Sequence, residues 1–445
     1  GHIDEALAVT TRAIEIAPRH VGALNNLATS WKQQGELDKA IAAYREAMRL
    51  KPDDPVAHSN LVYLLHFHPD MDAPALLAEH RTWDRVHGEP LRATILPHDN
   101  SREPQRRLRI GYVSPDFREH VIARFIAPLF EAHDPQAVEV YCYSDVLLED
   151  AMTARLRASA IHWRTIRGLS DARVAEIVRE DRIDILVDLT MHMSGSRMKM
   201  FARKPAPVQT TYLAYCSTTG LSTMDYRLSD PHFDPPGIDL VACYVEKTVR
   251  LPRSYWCYEA PVGASEVNDL PAEQVWYVTF GCLNNFTKAS AGTFATWREL
   301  LVRMPTARLI LHAQPGSHRD RVAQFFEAGG VARDRVEFVG LAPMAEYLRL
   351  YQRMDVMLDP FPYAGGTTSC DGLWMGVPLV TLQGRTGVGR GGVSLLNNLG
   401  LAELIAEGAG DYVRIAAALA EDVGRLRNLR RTLRERMRAS PLMQP

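Results

Sequence analysis

The sequence predicts an α/β protein in which two parallel-sheet domains face a cleft, preceded by an all-α segment of helical repeats. Three observations lead to this prediction. The N-terminal residues repeat at an offset of 34 positions, strand and helix patterns alternate from Arg107 onwards, and the alternation stops and restarts once around residues 252–274. The length of 445 residues agrees, because one domain usually holds roughly 100–200 residues.

The composition argues against several classes of protein. Lys and Arg total 51 and Asp and Glu total 53, so a net charge of −2 argues against a generally basic nucleic-acid-binding protein. No apolar run reaches the roughly 18 residues of a membrane span, which predicts a soluble chain without a membrane partner. The 6 cysteines form no Cys-x-x-Cys pair, which argues against a zinc module and fits a cytoplasmic protein.

The repeated N-terminal segment has the period of the tetratricopeptide repeat, which pairs two antiparallel helices in each unit. Residues 1–6 match residues 35–40, and Pro18 matches Pro52. Residues 55–65 are predicted to form the first helix of one further repeat. The chain begins in mid-repeat, so we expect more repeats upstream in the full protein. Such repeats form either a surface for proteins and peptides or a structural cap on the next domain, and the sequence leaves both open.

The boundaries of the domains follow from these patterns. We assign residues 1–66 to the repeats and residues 67–105, helical and then rich in proline, to a linker. Residues 106–260 and 261–445 are assigned to a first and a second Rossmann-like domain. Alternating strands and helices are typical of a doubly wound parallel sheet, whose ligands bind at the carboxyl ends of the strands.

Each strand is predicted from a short run rich in β-branched, aliphatic or aromatic residues, and each helix from helical periodicity. The first domain has predicted strands at 108–113, 138–143, 161–164, 183–188, 208–213 and 226–229, and helices at 122–132, 150–159 and 173–180. The second has predicted strands at 278–283, 307–312, 336–339, 356–359 and 379–382, and helices at 291–304, 318–329, 345–353, 368–375 and from 391 to about 440.

The segment 359–371 carries the sharpest chemical signal. It follows a predicted strand and opens a helix, and Gly365 and Gly366 allow the backbone to approach a ligand closely. Thr367 and Thr368 add hydroxyl groups at the helix N-terminus, where unpaired N–H groups and the helix dipole favour a phosphate. Asp371, one turn further, could accept hydrogen bonds from ribose hydroxyls. The alternative is a glycine-rich turn with an ordinary helix cap.

Two further candidate residues follow predicted strands. Lys288 comes after strand 278–283 and offers a point positive charge for a diphosphate, unless it is a solvated surface lysine. His120 comes after the first strand of the first domain. Its side chain suits proton transfer near neutral pH, although a loop histidine is more often structural.

Two other patterns are interpreted as unrelated to ligands. Residues 387–392 fit the dinucleotide pattern G-x-G-x-x-G but do not directly follow a strand, so NAD or FAD binding is not expected. Asp70 and Asp72 form a lone Asp-x-Asp triplet, which we interpret as a turn rather than a metal site.

The ordered motifs at 111–120, 203–209, 224–226, 280–288 and 365–371 resemble the O-GlcNAc transferase family, including its bacterial homologues and SPINDLY-like relatives. The resemblance covers nearly the whole chain. It implies a GT-B fold and inverting, metal-independent transfer of a sugar from a nucleotide sugar to Ser or Thr of proteins, without a cofactor. It also implies acceptor proteins or peptides bound through the repeats and the cleft.

The resemblance also assigns roles residue by residue. It implies that His120 is the active-site histidine and that Lys288 contacts the donor diphosphate. The implied nucleotide-sugar site comprises Asn285, Ala342, Tyr347, Gly365, Gly366, Thr367, Thr368 and Asp371. No metal ligands are implied.

Five sites depart from the GlcNAc-transferring members and leave the donor open. Met344 stands in place of Lys, and Met191-His-Met193 in place of a more usual Gly-His-Thr. Asn285 stands in place of Gln, Tyr347 in place of His, and Gly366 in place of the His of Gly-His-Thr-Thr. UDP-GlcNAc is the first donor to consider, and GDP-fucose is the alternative. A catalytically inactive, repeat-based binding protein is the remaining alternative from another class.

Overall fold

The computed structural model describes residues 3–445, so Gly1 and His2, which open the predicted repeat segment, lie outside the described residues. Five helices come first: α1 Ile3–Ile16, α2 Val21–Gln33, α3 Leu37–Leu50, α4 Pro55–Leu65 and α5 Ala73–Trp83. The helix predicted at 55–65 is confirmed by α4. Ala28, Ala40 and Ala47 are fully buried, so the small side chains let α2 and α3 pack closely.

The first sheet has seven parallel strands in the order β3-β2-β1-β4-β5-β6-β7. They are β1 Leu108–Ser114, β2 Val138–Ser144, β3 His162–Thr165, β4 Ile185–Asp188, β5 Val208–Thr211, β6 Tyr226–Ser229 and β7 Lys247–Arg250. Its helices are α6 Val121–Ala132, α7 Ala151–Ser159, α8 Asp171–Glu180 and α9 Met198–Phe201. The sequence interpretation missed β7, because this edge strand alternates exposed and half-buried residues and has no apolar run.

The second sheet has six parallel strands in the order β10-β9-β8-β11-β12-β13. They are β8 Thr279–Cys282, β9 Arg308–His312, β10 Val336–Val339, β11 Val356–Leu358, β12 Leu379–Leu382 and β13 Ile405–Ala406. Its helices are α10 Ala272–Val275, α11 Ala291–Arg303, α12 Ser317–Ala328, α13 Met344–Tyr351, α14 Thr367–Trp374, α15 Gly391–Asn398, α16 Ala409–Glu421 and α17 Val423–Ala439. The two-residue strand β13 was not predicted, since it is too short to show a period.

The chain forms two compact units, and each contains one sheet. One unit comprises the described residues up to Lys51, together with Leu64–Met71 and Ala260–Met443. The other comprises Pro52–Tyr63, Asp72–Glu259 and the last two residues. Neither unit consists of the repeats alone, since α1–α3 pack with the second sheet's unit. The division into four sequence domains therefore stays a prediction.

Several sequence expectations concern features outside the sheets. The Asp72 carboxylate accepts a hydrogen bond from the Ala75 N–H at 2.9 Å and caps α5, in agreement with a turn at this point. Within residues 3–445 none of the six cysteines forms a disulfide bond. Within residues 3–445 no helix has both the length and the apolar character that crossing a membrane requires.

The core of the first sheet's unit contains buried histidines in their neutral form. His80 Nδ1–H donates to the Leu76 carbonyl at 2.7 Å, and His192 Nε2–H donates to the Thr219 carbonyl at 2.7 Å. Burial lowers the pKa of His80 to about 4, and it lowers the pKa of His192 well below its ordinary value. Both rings lie beside each other, with centroids 5.4 Å apart.

We expect this unit to lose stability as the pH falls from about 6.5 to about 4. The unfolded chain binds more protons than the folded chain in this window, because the folded pKa of His80 lies below the unfolded one. His80 alone should lower the free energy of unfolding by about 2 kcal/mol between about pH 7.5 and about pH 5. Chemical denaturation at both pH values measures this, and His80→Gln should reduce the dependence. A His80→Gln variant with the full wild-type dependence would contradict the assignment.

Candidate active site

The loop after β8 presents Lys288 on a short 3₁₀ turn, Phe286–Lys288. The exposed Asn285 begins this turn, and its Oδ1 accepts a hydrogen bond from the Thr287 N–H at 3.0 Å. The Lys288 ammonium donates to the Ala364 carbonyl at 2.9 Å and lies 4.3 Å from the centroid of the Tyr363 ring. The positive charge of Lys288 is therefore held against the loop that follows β11.

That loop leads into the N-terminus of α14. Gly366 precedes the first helical residue, Thr367, and has φ −138° and ψ −94°. The Gly365 N–H donates to Asp359 Oδ1 at 2.9 Å, and a Cβ on Gly365 would lie 2.6 Å from the same oxygen. A side chain therefore does not fit at Gly365. The steric reason lies within the chain itself, and the close approach of this backbone to a ligand stays a prediction.

A direct hydrogen bond joins the two predicted phosphate motifs. Thr368 Oγ1 donates to Asn284 Oδ1 at 2.7 Å, so the end of β8 and the start of α14 lie side by side. Lys288, the hydroxyl groups and the helix N-terminus thus gather at the carboxyl edge of the second sheet. This is the edge where ligands bind in open α/β sheets.

Two supporting residues, Asn284 and Asp359, were missing from the predicted site. Asp359 is buried, and its carboxylate accepts from Gly365 N–H, Ser369 Oγ and Thr381 Oγ1. Burial raises the pKa of Asp359, while its hydrogen bonds and the Lys288 charge oppose the rise. Asp359 directly follows β11 and Asn284 comes two residues after the end of β8, and these positions were the signal in the sequence that could have identified them.

Asp371 and Tyr347 contact each other inside the same unit. The Tyr347 hydroxyl donates to Asp371 Oδ2 at 3.0 Å and lies 2.7 Å from the Tyr351 hydroxyl. Burial raises the pKa of Tyr347 well above its ordinary value, which keeps this hydroxyl protonated. Tyr351 in turn donates to the Thr368 carbonyl at 2.8 Å. Ala342 lies in the irregular segment just before α13, the helix that carries Tyr347.

His120 lies in the other compact unit, at the N-terminus of α6. Its Nδ1 accepts a hydrogen bond from the Ile122 N–H at 3.3 Å and lies 3.6 Å from Asp116 Oδ2. Burial lowers the pKa of His120; the Asp116 charge raises it and the Arg118 charge lowers it further. A neutral imidazole that accepts at Nδ1 carries its proton on Nε2. In this arrangement the ring caps the helix and offers an N–H at Nε2.

The glycine-rich segment 387–392 packs against the loop that carries Gly365. A Cβ on Gly391 would overlap the Gly365 carbonyl oxygen, and a Cβ on Gly389 would lie 2.7 Å from the Pro362 carbonyl oxygen. The Ala364 N–H also donates to the Val388 carbonyl at 3.1 Å. These glycines are therefore explained by close backbone packing.

Comparisons with known proteins agree with this arrangement. The sequence profile described as Glycosyl transferase family 41 matches residues 82–261 and 257–445, and a TPR repeat profile matches residues 31–66. A solved O-GlcNAc transferase mutant from Thermobaculum terrenum has a TM-score of 0.93 and 38% identity, covering 99% of this chain and 84% of that chain. The GT-B fold with preceding repeats is confirmed.

Curated relatives include plant proteins named as N-acetylglucosaminyltransferases that act on peptides from UDP-N-acetylglucosamine. The SPINDLY protein of Petunia hybrida is 38% identical over 89% of this chain and 43% of its own length. The SEC protein of Arabidopsis thaliana is 31% identical over 76% of this chain and 35% of its own. The chain thus spans less than half the length of these relatives. On the two profile matches and these identities, it belongs to glycosyl transferase family 41.

Proposed function

We propose that this chain transfers a sugar from a nucleotide sugar to Ser or Thr of proteins, with UDP-GlcNAc as the donor. The observation that carries the proposal is the meeting of Lys288 with the N-terminus of α14, through the Ala364 carbonyl and the Thr368–Asn284 hydrogen bond. The relatives' names support the donor and the class of acceptor. The six scattered cysteines, which include no Cys-x-x-Cys pair, fit a protein of the cytoplasm.

The second sheet's unit would stabilise the leaving group. Departure of a nucleoside diphosphate places negative charge on its β-phosphate, and Lys288 offers an ammonium to that charge. The N–H groups at the start of α14 add hydrogen-bond donors and the positive end of the helix dipole. Donors that are fixed before the reaction stabilise the developing charge without reorganising.

The first sheet's unit would handle the acceptor. The acceptor hydroxyl attacks the anomeric carbon on the face opposite to the leaving diphosphate, which inverts the configuration, and it loses its proton during the attack. His120, neutral because burial lowers its pKa, is the candidate base or the group that orients the acceptor oxygen. Asp116, 3.6 Å from Nδ1, is placed to compensate charge that develops on the ring.

A second candidate function is fucose transfer from GDP-fucose. It is favoured by the departures at Asn285, Tyr347 and Gly366. Gly366 has no side chain to offer at the N-terminus of α14, and Tyr347 donates to Asp371, the residue that the family resemblance assigns to the ribose. The surface that would contact the nucleotide base and the sugar therefore differs from the corresponding surface of the members that carry Gly-His-Thr-Thr.

A panel of UDP- and GDP-sugars, with released nucleotide and peptide mass as readouts, tests the proposal. We expect UDP-GlcNAc to give nucleotide release and a peptide heavier by one N-acetylhexosamine. Transfer only from GDP-fucose would establish the second candidate. Tight nucleotide binding without turnover of any donor would instead identify a repeat-based binding protein.

We expect transfer to continue in the presence of EDTA. The proposed leaving-group stabilisation uses Lys288 and backbone N–H groups, and within the described residues no cluster of three or more His, Cys, Asp or Glu side chains is arranged to bind a metal ion. Initial rates with EDTA and with added Mn²⁺ measure this. Loss of activity on chelation that Mn²⁺ restores would contradict the metal-free mechanism.

A further inference from the structure

We infer that Tyr363 and Phe67 are positioning residues for Lys288, so that the helical repeats and the residue directly after them form part of the diphosphate site. The inference rests on the proposed function of Lys288. It starts from a row of side chains that we call the ring column: Lys32 on α2, Phe67 after α4, Tyr363 in the loop after β11, and Lys288 after β8. All four belong to one compact unit.

The ring column is continuous from the repeats to the donor lysine. The Lys288 ammonium lies 4.3 Å from the Tyr363 centroid. The Tyr363 and Phe67 rings stack with centroids 4.8 Å apart and an interplanar angle of 30°. The Lys32 ammonium lies 5.0 Å from the Phe67 centroid. Each contact falls in the range where ring pairs and cation–ring pairs attract.

A lysine needs such support to act as a fixed donor. Its ammonium is a compact charge on a flexible stem of four carbons, and three N–H groups can point in many directions. The Ala364 carbonyl accepts a hydrogen bond from one of these N–H groups, and the face of the Tyr363 ring restricts the ammonium from a second side. Phe67, only 1% exposed, fixes the Tyr363 ring in turn. An ammonium that is ordered before the donor binds gives up less of its stabilisation to reorganisation.

Hydrogen bonds hold the repeats against the turn that carries Lys288 and against the start of α12. Thr287, the neighbour of Lys288, donates its hydroxyl to the Lys32 carbonyl at 3.0 Å. Arg321 on α12 donates to the Gln34 carbonyl at 2.9 Å, and the Asp4 carboxylate accepts from the Ser317 N–H at 2.7 Å. The repeats therefore contact both the turn that carries Lys288 and the start of α12, as a structural cap would.

Burial strengthens the contacts at the repeat end of the ring column. Lys32 is half-buried, and this burial lowers the pKa of its ammonium to about 8. Cation–ring attraction is greater when the cation is desolvated. The Phe67 ring is thus held by a cation as well as by Tyr363, and the orientation of Tyr363 depends on a residue more than 200 positions earlier in the chain.

A double-mutant cycle between Phe67 and Lys288 tests the inference on the intact chain. We expect Phe67→Leu to lower kcat at saturating donor about three- to ten-fold, with a smaller change in the KM of the donor. In a Lys288→Ala background the same change should have no further effect on kcat, because the lysine it positions is gone. If Phe67 has a merely structural role, Phe67→Leu will reduce kcat by the same factor in both backgrounds, and this result would overturn the inference.

Matched variants separate positioning from stability. Phe326→Leu is the control, because Phe326 is also fully buried and packs against Phe294 and Phe325 instead of the ring column. It should lower the Tm but leave kcat unchanged. Tyr363→Phe should retain activity because it keeps the ring. Tyr363→Leu should reduce kcat by about the same factor as Phe67→Leu. This Tyr363 pair decides the question if Phe67→Leu does not fold.

The outcomes also separate this inference from the proposed function. If Lys288→Ala retains near-wild-type transfer, the role of Lys288 fails, and the inference fails with it. If Lys288→Ala is strongly impaired but Phe67→Leu and Tyr363→Leu keep the wild-type kcat, only the inference is overturned. A loss of kcat in both ring variants that disappears in the Lys288→Ala background supports it.

Discussion

Replacing Lys288 with alanine is expected to lower the turnover of sugar transfer by about two orders of magnitude or more. The change removes the ammonium that lies between the Ala364 carbonyl and the Tyr363 ring, at the N-terminus of α14. It leaves the apolar core intact, because Lys288 is only partly buried on a short turn. Steady-state kinetics with saturating donor measures kcat, and circular dichroism checks that the variant is folded.

A second lysine provides a matched control. Lys39 also lies over an aromatic ring, 4.5 Å from the Trp31 centroid, but it belongs to the repeat helix α3. Lys39→Ala removes the same side chain and the same type of contact, so it should leave kcat unchanged. Near-wild-type turnover of Lys288→Ala would refute the role of Lys288 at the diphosphate. An equal loss in both variants would point to a general effect on stability.

His120→Ala is expected to depress transfer about a hundred-fold or more, while the affinity for UDP or GDP stays within a few-fold. His120 belongs to the unit of the first sheet, whereas Lys288, Thr367, Thr368 and Asp371 all belong to the other unit. Isothermal titration calorimetry measures the nucleotide affinity, and peptide transfer measures the rate. A large loss of nucleotide affinity would place His120 in the donor site and contradict the assignment.

The helix cap makes His120→Asn the more informative variant. His120 Nδ1 caps α6, so alanine also removes a cap that is typically worth about 1 kcal/mol. Asparagine is a good cap and keeps a hydrogen-bond donor, but it cannot take up a proton near neutral pH. If His120 is the base, His120→Asn should be as impaired as His120→Ala. Recovery of most of the rate would identify His120 as an orienting group.

Asp116→Asn distinguishes the two tautomers of His120. The hydrogen bond from Ile122 N–H to Nδ1 puts the proton on Nε2, which then donates to the acceptor oxygen. If Nε2 is the base, the resting proton must be on Nδ1. Asp116 Oδ2, 3.6 Å from Nδ1, is then the group that faces this N–H and stabilises that tautomer. Asp116→Asn should then reduce transfer strongly, as a changed partner does when it fixes the wrong tautomer. An unchanged rate would support the donor role of Nε2–H.

The sequence by itself determined the alternation of elements and the order of motifs along the chain. The strands at 226–229, 336–339 and 379–382 and the helix at 55–65 have the predicted bounds. This works because each of these segments carries apolar or aromatic residues at the period of its element, so a short local window reveals it. The edge strand β7 escaped because one side of an edge strand faces water, and a polar, alternating run carries no such signal.

Only the tertiary structure decided which of these segments meet. Asn284 and Thr368 are 84 positions apart, and their hydrogen bond exists because β8 and β11 are neighbours in the sheet. The contact of Phe67 with Tyr363 spans a still longer separation, and nothing near either residue in the sequence indicates it. A local pattern records how a segment buries its own apolar side chains. The choice of partner is set by the packing of the whole unit, and that packing assigns α1–α3 to the unit of the diphosphate loop.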